Sequence, residues 1–129
     1  MKRTLIAVSF IAALITTSTK AQTLPEGINH LYADRFTSAV QVFQKILAVN
    51  PNVIEATYWL GQTYLDMDDN DAARQLYDKA LQANSNAPLI MVGKGHVNLL
   101  DKKLSEARQM YDDAMDAFVS NGLVKGEEC

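Results

Sequence analysis

The chain has 129 residues, 48% hydrophobic, 21% charged and 8% aromatic, which suits one globular domain and leaves no room for a second core. Its formal net charge is −3. The single cysteine, Cys129, excludes an internal disulfide framework and a cysteine-rich metal site, so packing alone has to hold the fold.

At the start, Lys2 and Arg3 precede an apolar run from Leu5 to Ile15, and a polar stretch ends in Thr19-Lys20-Ala21, with small residues at −3 and −1 before Gln22. That order is expected of a secretory signal peptide over residues 1–21, cleaved after Ala21. The run is shorter than the ~20 apolar residues a helix needs to span a bilayer. A lipid anchor would need a cysteine where Gln22 stands. The mature chain is therefore expected to be periplasmic or secreted, without stable membrane insertion. Loss of Lys2, Arg3 and Lys20 leaves 9 basic against 15 acidic side chains, a net charge of −6 with His neutral. Such a chain repels phosphate backbones and anionic lipid, so nucleic acid is not an expected partner.

Beyond Gln22 the sequence repeats every 34 residues without insertion or deletion. Gly27, Gly61 and Gly95 are in phase, followed by Ala39, Ala73 and Ala107, and then by an aromatic at Phe43, Tyr77 and Tyr111. Ile46, Ala80 and Ala114 come next, with Leu47, Leu81 and Met115 behind them. The alanine, the aromatic and the residue three beyond it fall at i, i+4 and i+7, one face of a helix. A glycine inside a helix costs about 1 kcal/mol against alanine. Its recurrence therefore needs a packing reason, and close approach of a partner helix supplies one.

In chain order, the pattern predicts a short helix over 25–34 and a turn at Asn50-Pro51-Asn52. A helix over 54–67 follows, then an acidic turn at Asp68-Asp69-Asn70 rich in N-cap candidates, then a helix over 71–83. Asn84-Ser85-Asn86 breaks the pattern and Pro88 suits the first turn of a helix over 88–100. After Asp101-Lys102-Lys103 the last helix runs over 104–119. Nothing alternates with period two for long enough to make a strand, so the fold class is all-α, with repeats over about 22–53, 54–87 and 88–121.

Tyr58-Trp59-Leu60-Gly61-Gln62-Thr63-Tyr64, with Ala73, Tyr77, Ala80 and Leu81, resembles a tetratricopeptide repeat, and the resemblance extends over essentially all of the chain after Ala21. The third copy departs from the family pattern, with Lys94 and Asn98 where the family has an apolar and an aromatic residue. The resemblance implies a right-handed α-solenoid of three antiparallel helix-turn-helix hairpins, whose first helices line a concave surface suited to a peptide. It places Ile28, Leu31 and Tyr32 of the first copy inward. In the second copy the inward positions are Glu55, Tyr58, Gln62, Leu65 and Asp66, and in the third Leu89, Val92, His96, Leu99 and Leu100. Chaperone-binding members grip a terminal carboxylate with Lys, Asn and Arg; Leu24, Ile28, Val92 and His96 stand in such places, so no carboxylate clamp is expected.

The function expected is a non-enzymatic protein-interaction scaffold of the cell envelope, binding an apolar or aromatic segment of another protein or peptide through Tyr32, Tyr58, Gln62 and His96. The alternative for these side chains is packing between helices. Alternatives for the chain are a structural spacer, a self-assembly module, or the substrate-presenting N-terminal part of a longer protein. Motifs for other chemistry are incomplete. Asp66, Asp68 and Asn70 alternate as in a calcium loop, but Asp71 stands where that loop needs glycine and Tyr77 where it needs glutamate. His30 and His96 have no second His or Cys at ligand spacing. No phosphate loop or nucleophile elbow is present, so neither catalytic residues, metal nor cofactor is expected. The tail from Gly122 to Cys129 is too short for the polar helix that closes such arrays. The last hairpin is therefore expected to be covered by further chain, by a partner or by a second copy.

Overall fold

Six helices follow one another in the computed structural model, which describes residues 22–122: α1 (Leu24–Tyr32), α2 (Phe36–Val49), α3 (Ile54–Asp66), α4 (Asn70–Ala83), α5 (Pro88–Leu100) and α6 (Leu104–Ser120). The expected signal peptide and Cys129 lie outside the described residues. Among the described residues no helix is long and apolar enough to cross a membrane. The helices pair into three hairpins, as the 34-residue period requires. α1 stops at Tyr32, two residues short of the expectation, because Ala33 and Asp34 belong to the turn.

The three turns within the hairpins share one conformation. Asp34, Asp68 and Lys102 sit 34 residues apart with φ of 56°, 59° and 62°. Each turn closes with two bonds back into the helix. Asp34 N–H donates to the Leu31 carbonyl at 3.0 Å and Arg35 N–H to that of His30 at 2.9 Å; Asp68 and Asp69 repeat this on Leu65 and Tyr64, and Lys102 and Lys103 on Leu99 and Asn98. This is the Schellman arrangement, in which a left-handed residue lets orphan helix carbonyls be satisfied. Asp69 then caps α4, its carboxylate accepting from the Ala72 N–H at 3.1 Å. The connections between hairpins repeat as well. Asn50 and Asn84 end α2 and α4, and their side-chain oxygens accept from the N–H of Asn52 and Asn86.

The first helices lie side by side, α1 against α3 and α3 against α5. α2 and α4 each pack on their own first helix and on the first helix of the next hairpin, α6 packs on α5, and among the described residues the backbones of α2, α4 and α6 do not approach one another. One layer is thus continuous and the other fans apart, which curves the stack with first helices on the inside. A 430 Å³ cleft lined by Leu47, Leu76 and Ala80 marks where α2 and α4 diverge.

Two core clusters run through the stack, one on Leu31, Ala39, Phe43 and Leu60, the other on Leu65, Ala73, Tyr77, Ile90 and Val97. The repeated glycines explain their density. The Tyr77 ring lies so close to the backbone of Gly61 that a Cβ there would collide with it, and a Cβ at Gly93 of the next hairpin would stand 2.5 Å from the same ring. Tyr77 is thereby held between its own hairpin and its neighbour. Phe43 meets Gly27 and Tyr111 meets Gly95 in the same way. The departures of the third copy are accommodated: Lys94 reaches Asp78 on α4 at 2.6 Å, and α5 and α6 form the most extensive helix pair.

The third hairpin differs in what covers it. Phe43 and Tyr77 are 0% exposed but Tyr111 is 37%, and Leu31 and Leu65 are 5% and 6% exposed but Leu99 is 46%. At each phase the side chain is enclosed where another hairpin follows.

Two substitutions test this packing. Gly61→Ala forces the enclosed Tyr77 ring aside and is expected to destabilise by about 1–3 kcal/mol, as overpacked cores do. Gly95→Ala faces a partly exposed Tyr111 that can swing away and is expected to cost clearly less; equal costs in urea titration would contradict the account. Lys102→Gly relieves a left-handed lysine and is expected to stabilise by up to about 1 kcal/mol.

Candidate functional site

The concave face is built by residues that recur in register on α1, α3 and α5. Leu24, Tyr58 and Val92 form one row across the stack, and Ile28, Gln62 and His96 the row one helical turn on. Leu24 and Ile28 pack against the first core cluster, and Tyr58 against the second. The row changes character along the stack, from aliphatic at Ile28 to hydrogen-bonding at Gln62 and His96.

Aromatic rings gather at the α1–α3 end. Trp59 stands edge to face with both Tyr32 and Tyr58, at centroid separations of 6.3 and 5.3 Å. Tyr32 is 75% exposed, an aromatic platform open to solvent. Burial, and secondarily Tyr111 and Tyr32, push the Tyr58 phenol above its usual value. Trp59 is absent from the sequence-based set because it falls one position off the inward register. The signal available was its place beside Tyr58, two residues before the phase-matched Gly61.

A directional chain of hydrogen bonds crosses the middle of the face. Tyr77 Oη donates to the Tyr58 carbonyl at 2.8 Å, Gln62 Nε2 donates to Tyr77 Oη at 2.9 Å, and Gln62 Oε1 lies 3.0 Å from His96 Nδ1. Burial pushes the Tyr77 phenol far up, outweighing the opposing pull of Gln62, so the ring keeps its proton. The glycine-seated core residue and the groove are thus physically joined.

Two expected groove residues are corrected. Leu31 and Leu65 belong to the core clusters, because the neighbouring first helix covers that side of α1 and α3. Asp66, Leu99 and Leu100 are exposed, and Val92 is half-buried. Glu55 and Leu89 line a 320 Å³ cleft with Phe118 of α6. The acidic run serves the α3–α4 turn and the α4 cap, as described above. Among the described residues no three His, Cys, Asp or Glu side chains gather as metal ligands.

The single tryptophan makes the aromatic end measurable. Tyr32→Ala is expected to leave helicity unchanged and to shift Trp59 emission to the red as one edge contact is replaced by water. An unchanged emission spectrum would mean that the rings do not meet in solution.

Comparison with known proteins agrees with this architecture. The tetratricopeptide repeat family model matches residues 24–88 and 60–120. No curated protein sequence matches the chain. Among solved structures, the crystal structure of MamA superposes with a TM-score of 0.63 at 20% identity, over 77% of this chain and 58% of that one. A further MamA structure, MamA MSR-1 C2, gives 0.61 at 16% identity, over 75% and 56%. The chain thus spans less than two thirds of either MamA chain, and at these identities the likeness is one of fold. With its matched segments running through all six helices, the chain belongs to the tetratricopeptide repeat family.

Proposed function

We infer that this protein is a non-enzymatic scaffold of the cell envelope that holds a segment of another polypeptide on its concave face. Tetratricopeptide repeats build protein-interaction scaffolds, and that general role follows from the family. The finer reading rests chiefly on one observation: an aromatic group, exposed at Tyr32 and half-buried at Trp59 and Tyr58, stands beside hydrogen-bonding Gln62 and His96. Aromatics with few rotatable bonds give large contact area at low entropic cost, and so anchor interfaces. Exposed leucines at Leu99 and Leu100 extend the apolar surface. The partner segment is expected to be apolar or aromatic. Export is supported by the basic, apolar and small-residue order of residues 1–21. N-terminal sequencing of protein from an expressing cell is expected to begin at Gln22; retained Met1 would contradict cleavage after Ala21.

The binding test is a pull-down from periplasmic extract with the wild type, Tyr58→Ala and His96→Ala. Bound polypeptide is expected to fall at least about tenfold for either variant, the loss of one anchor worth 1.4 kcal/mol or more. Circular dichroism should stay helical. Undiminished capture would contradict the groove reading, and unfolding would assign these side chains to the core.

A second reading, self-assembly, is favoured by the uncovered third hairpin, where Leu104, Tyr111, Met115 and Val119 of α6 are exposed. On this reading light scattering gives a mass that rises with concentration, and a monomer at high concentration rules it out.

A further inference from the structure

We propose that His96 determines the specificity of the groove as a fixed hydrogen-bond acceptor: its Nε2 takes an N–H from the bound segment and turns carboxylates away. This rests on the groove reading above and names the chemistry the groove selects.

The hydrogen-bond chain has one unambiguous end. The Tyr58 carbonyl can only accept, so the Tyr77 hydroxyl spends its single proton there. Toward Gln62, Tyr77 Oη can then offer only a lone pair, and the group facing it must be the amide nitrogen. That fixes the amide, and its oxygen faces His96 Nδ1. An oxygen acceptor at 3.0 Å requires a proton on Nδ1. In neutral imidazole one nitrogen donates and the other accepts, so Nε2 carries the lone pair. A solvated histidine prefers the opposite tautomer, with its proton on Nε2. The protein therefore sets this one, through three links anchored on a side chain enclosed by Gly61 and Gly93.

Nε2 is positioned to be used. It has no hydrogen-bond partner among the described residues and is not among their enclosed unpartnered polar atoms, on a half-buried residue of the inward row. Its surroundings favour donors as well, because Asp66 is an exposed acid on the same inward face of α3. A backbone amide or an amine of a partner segment satisfies Nε2 of the neutral ring, whereas a carboxylate facing that neutral ring sets lone pair against lone pair.

Long-range ¹H–¹⁵N spectra of the histidines of the full chain at alkaline pH, where imidazole is neutral, test the chain of links. His96 is identified by its loss in His96→Gln. A single Nδ1–H tautomer is expected in the wild type, with loss of that preference in Tyr77→Phe, which does not touch His96, and in Gln62→Leu, the two variants breaking different links. An Nε2–H tautomer in the wild type, or an unaltered tautomer in both folded variants, overturns the proposal. N-acetylleucinamide and N-acetylleucine then probe the acceptor. The amide is expected to shift the Nε2 resonance several-fold more than the carboxylate at equal concentration. An equal or larger shift with the carboxylate overturns the ligand assignment. With the tautomer as expected, no shift from either probe overturns the groove reading and the ligand class together.

Discussion

An aromatic ring seated on bare backbone is the contact from which the rest of the molecule follows. Tyr77 lies against Gly61 in its own hairpin and Gly93 in the next, with no Cβ to hold either helix away. The two glycines each forgo about 1 kcal/mol of helix propensity. In return the ring is wholly enclosed and makes van der Waals contact on both faces. Because the same ring serves both hairpins, neither can bury it alone, and stacking is a condition of folding. The curvature follows too. First helices lie against one another, α1 on α3 and α3 on α5, while the second helices, whose rings Phe43 and Tyr77 reach in to the glycines, stand apart.

That contact also reaches the surface. The Tyr77 hydroxyl must be satisfied inside the stack. It is satisfied by the Tyr58 carbonyl and by Gln62, two inward positions of α3. Core packing therefore dictates the orientation of a groove amide, and through it the proton on His96. A binding face on a solenoid is commonly treated as side chains displayed on a passive rack. Here the rack and the display share atoms.

The helical hairpins were legible in the sequence because the signal was redundant: glycine, alanine and aromatic recur together, and each implies the same face. Helix ends were legible where chemistry marks them, as at Pro88 and the acidic turn. The identical left-handed turns were hidden, because none of the three positions holds glycine and Lys102 stands where the other copies have Asp34 and Asp68, so the full regularity exists only in φ. Glycine would have announced them. The second seat of Tyr77 was hidden for a related reason: Gly93 stands two residues before the phase-matched Gly95 and has no counterpart in other copies. Inward register named Tyr58, Gln62 and His96 together with Leu31 and Leu65, and nothing in it separates a side chain facing open space from one that a neighbouring helix covers. Trp59 lay one position away from a register that treats a helix face as narrower than an indole ring.

A double-mutant cycle on Tyr77 and Gly93 addresses the central contact most directly. Gly93→Ala is measured by urea unfolding in the wild type and in a Tyr77→Leu background. If the ring is what makes Gly93 necessary, alanine is tolerated much better beside leucine, and the coupling energy exceeds about 1 kcal/mol. Additive effects of the two substitutions would mean that the hairpins are joined by something other than this ring.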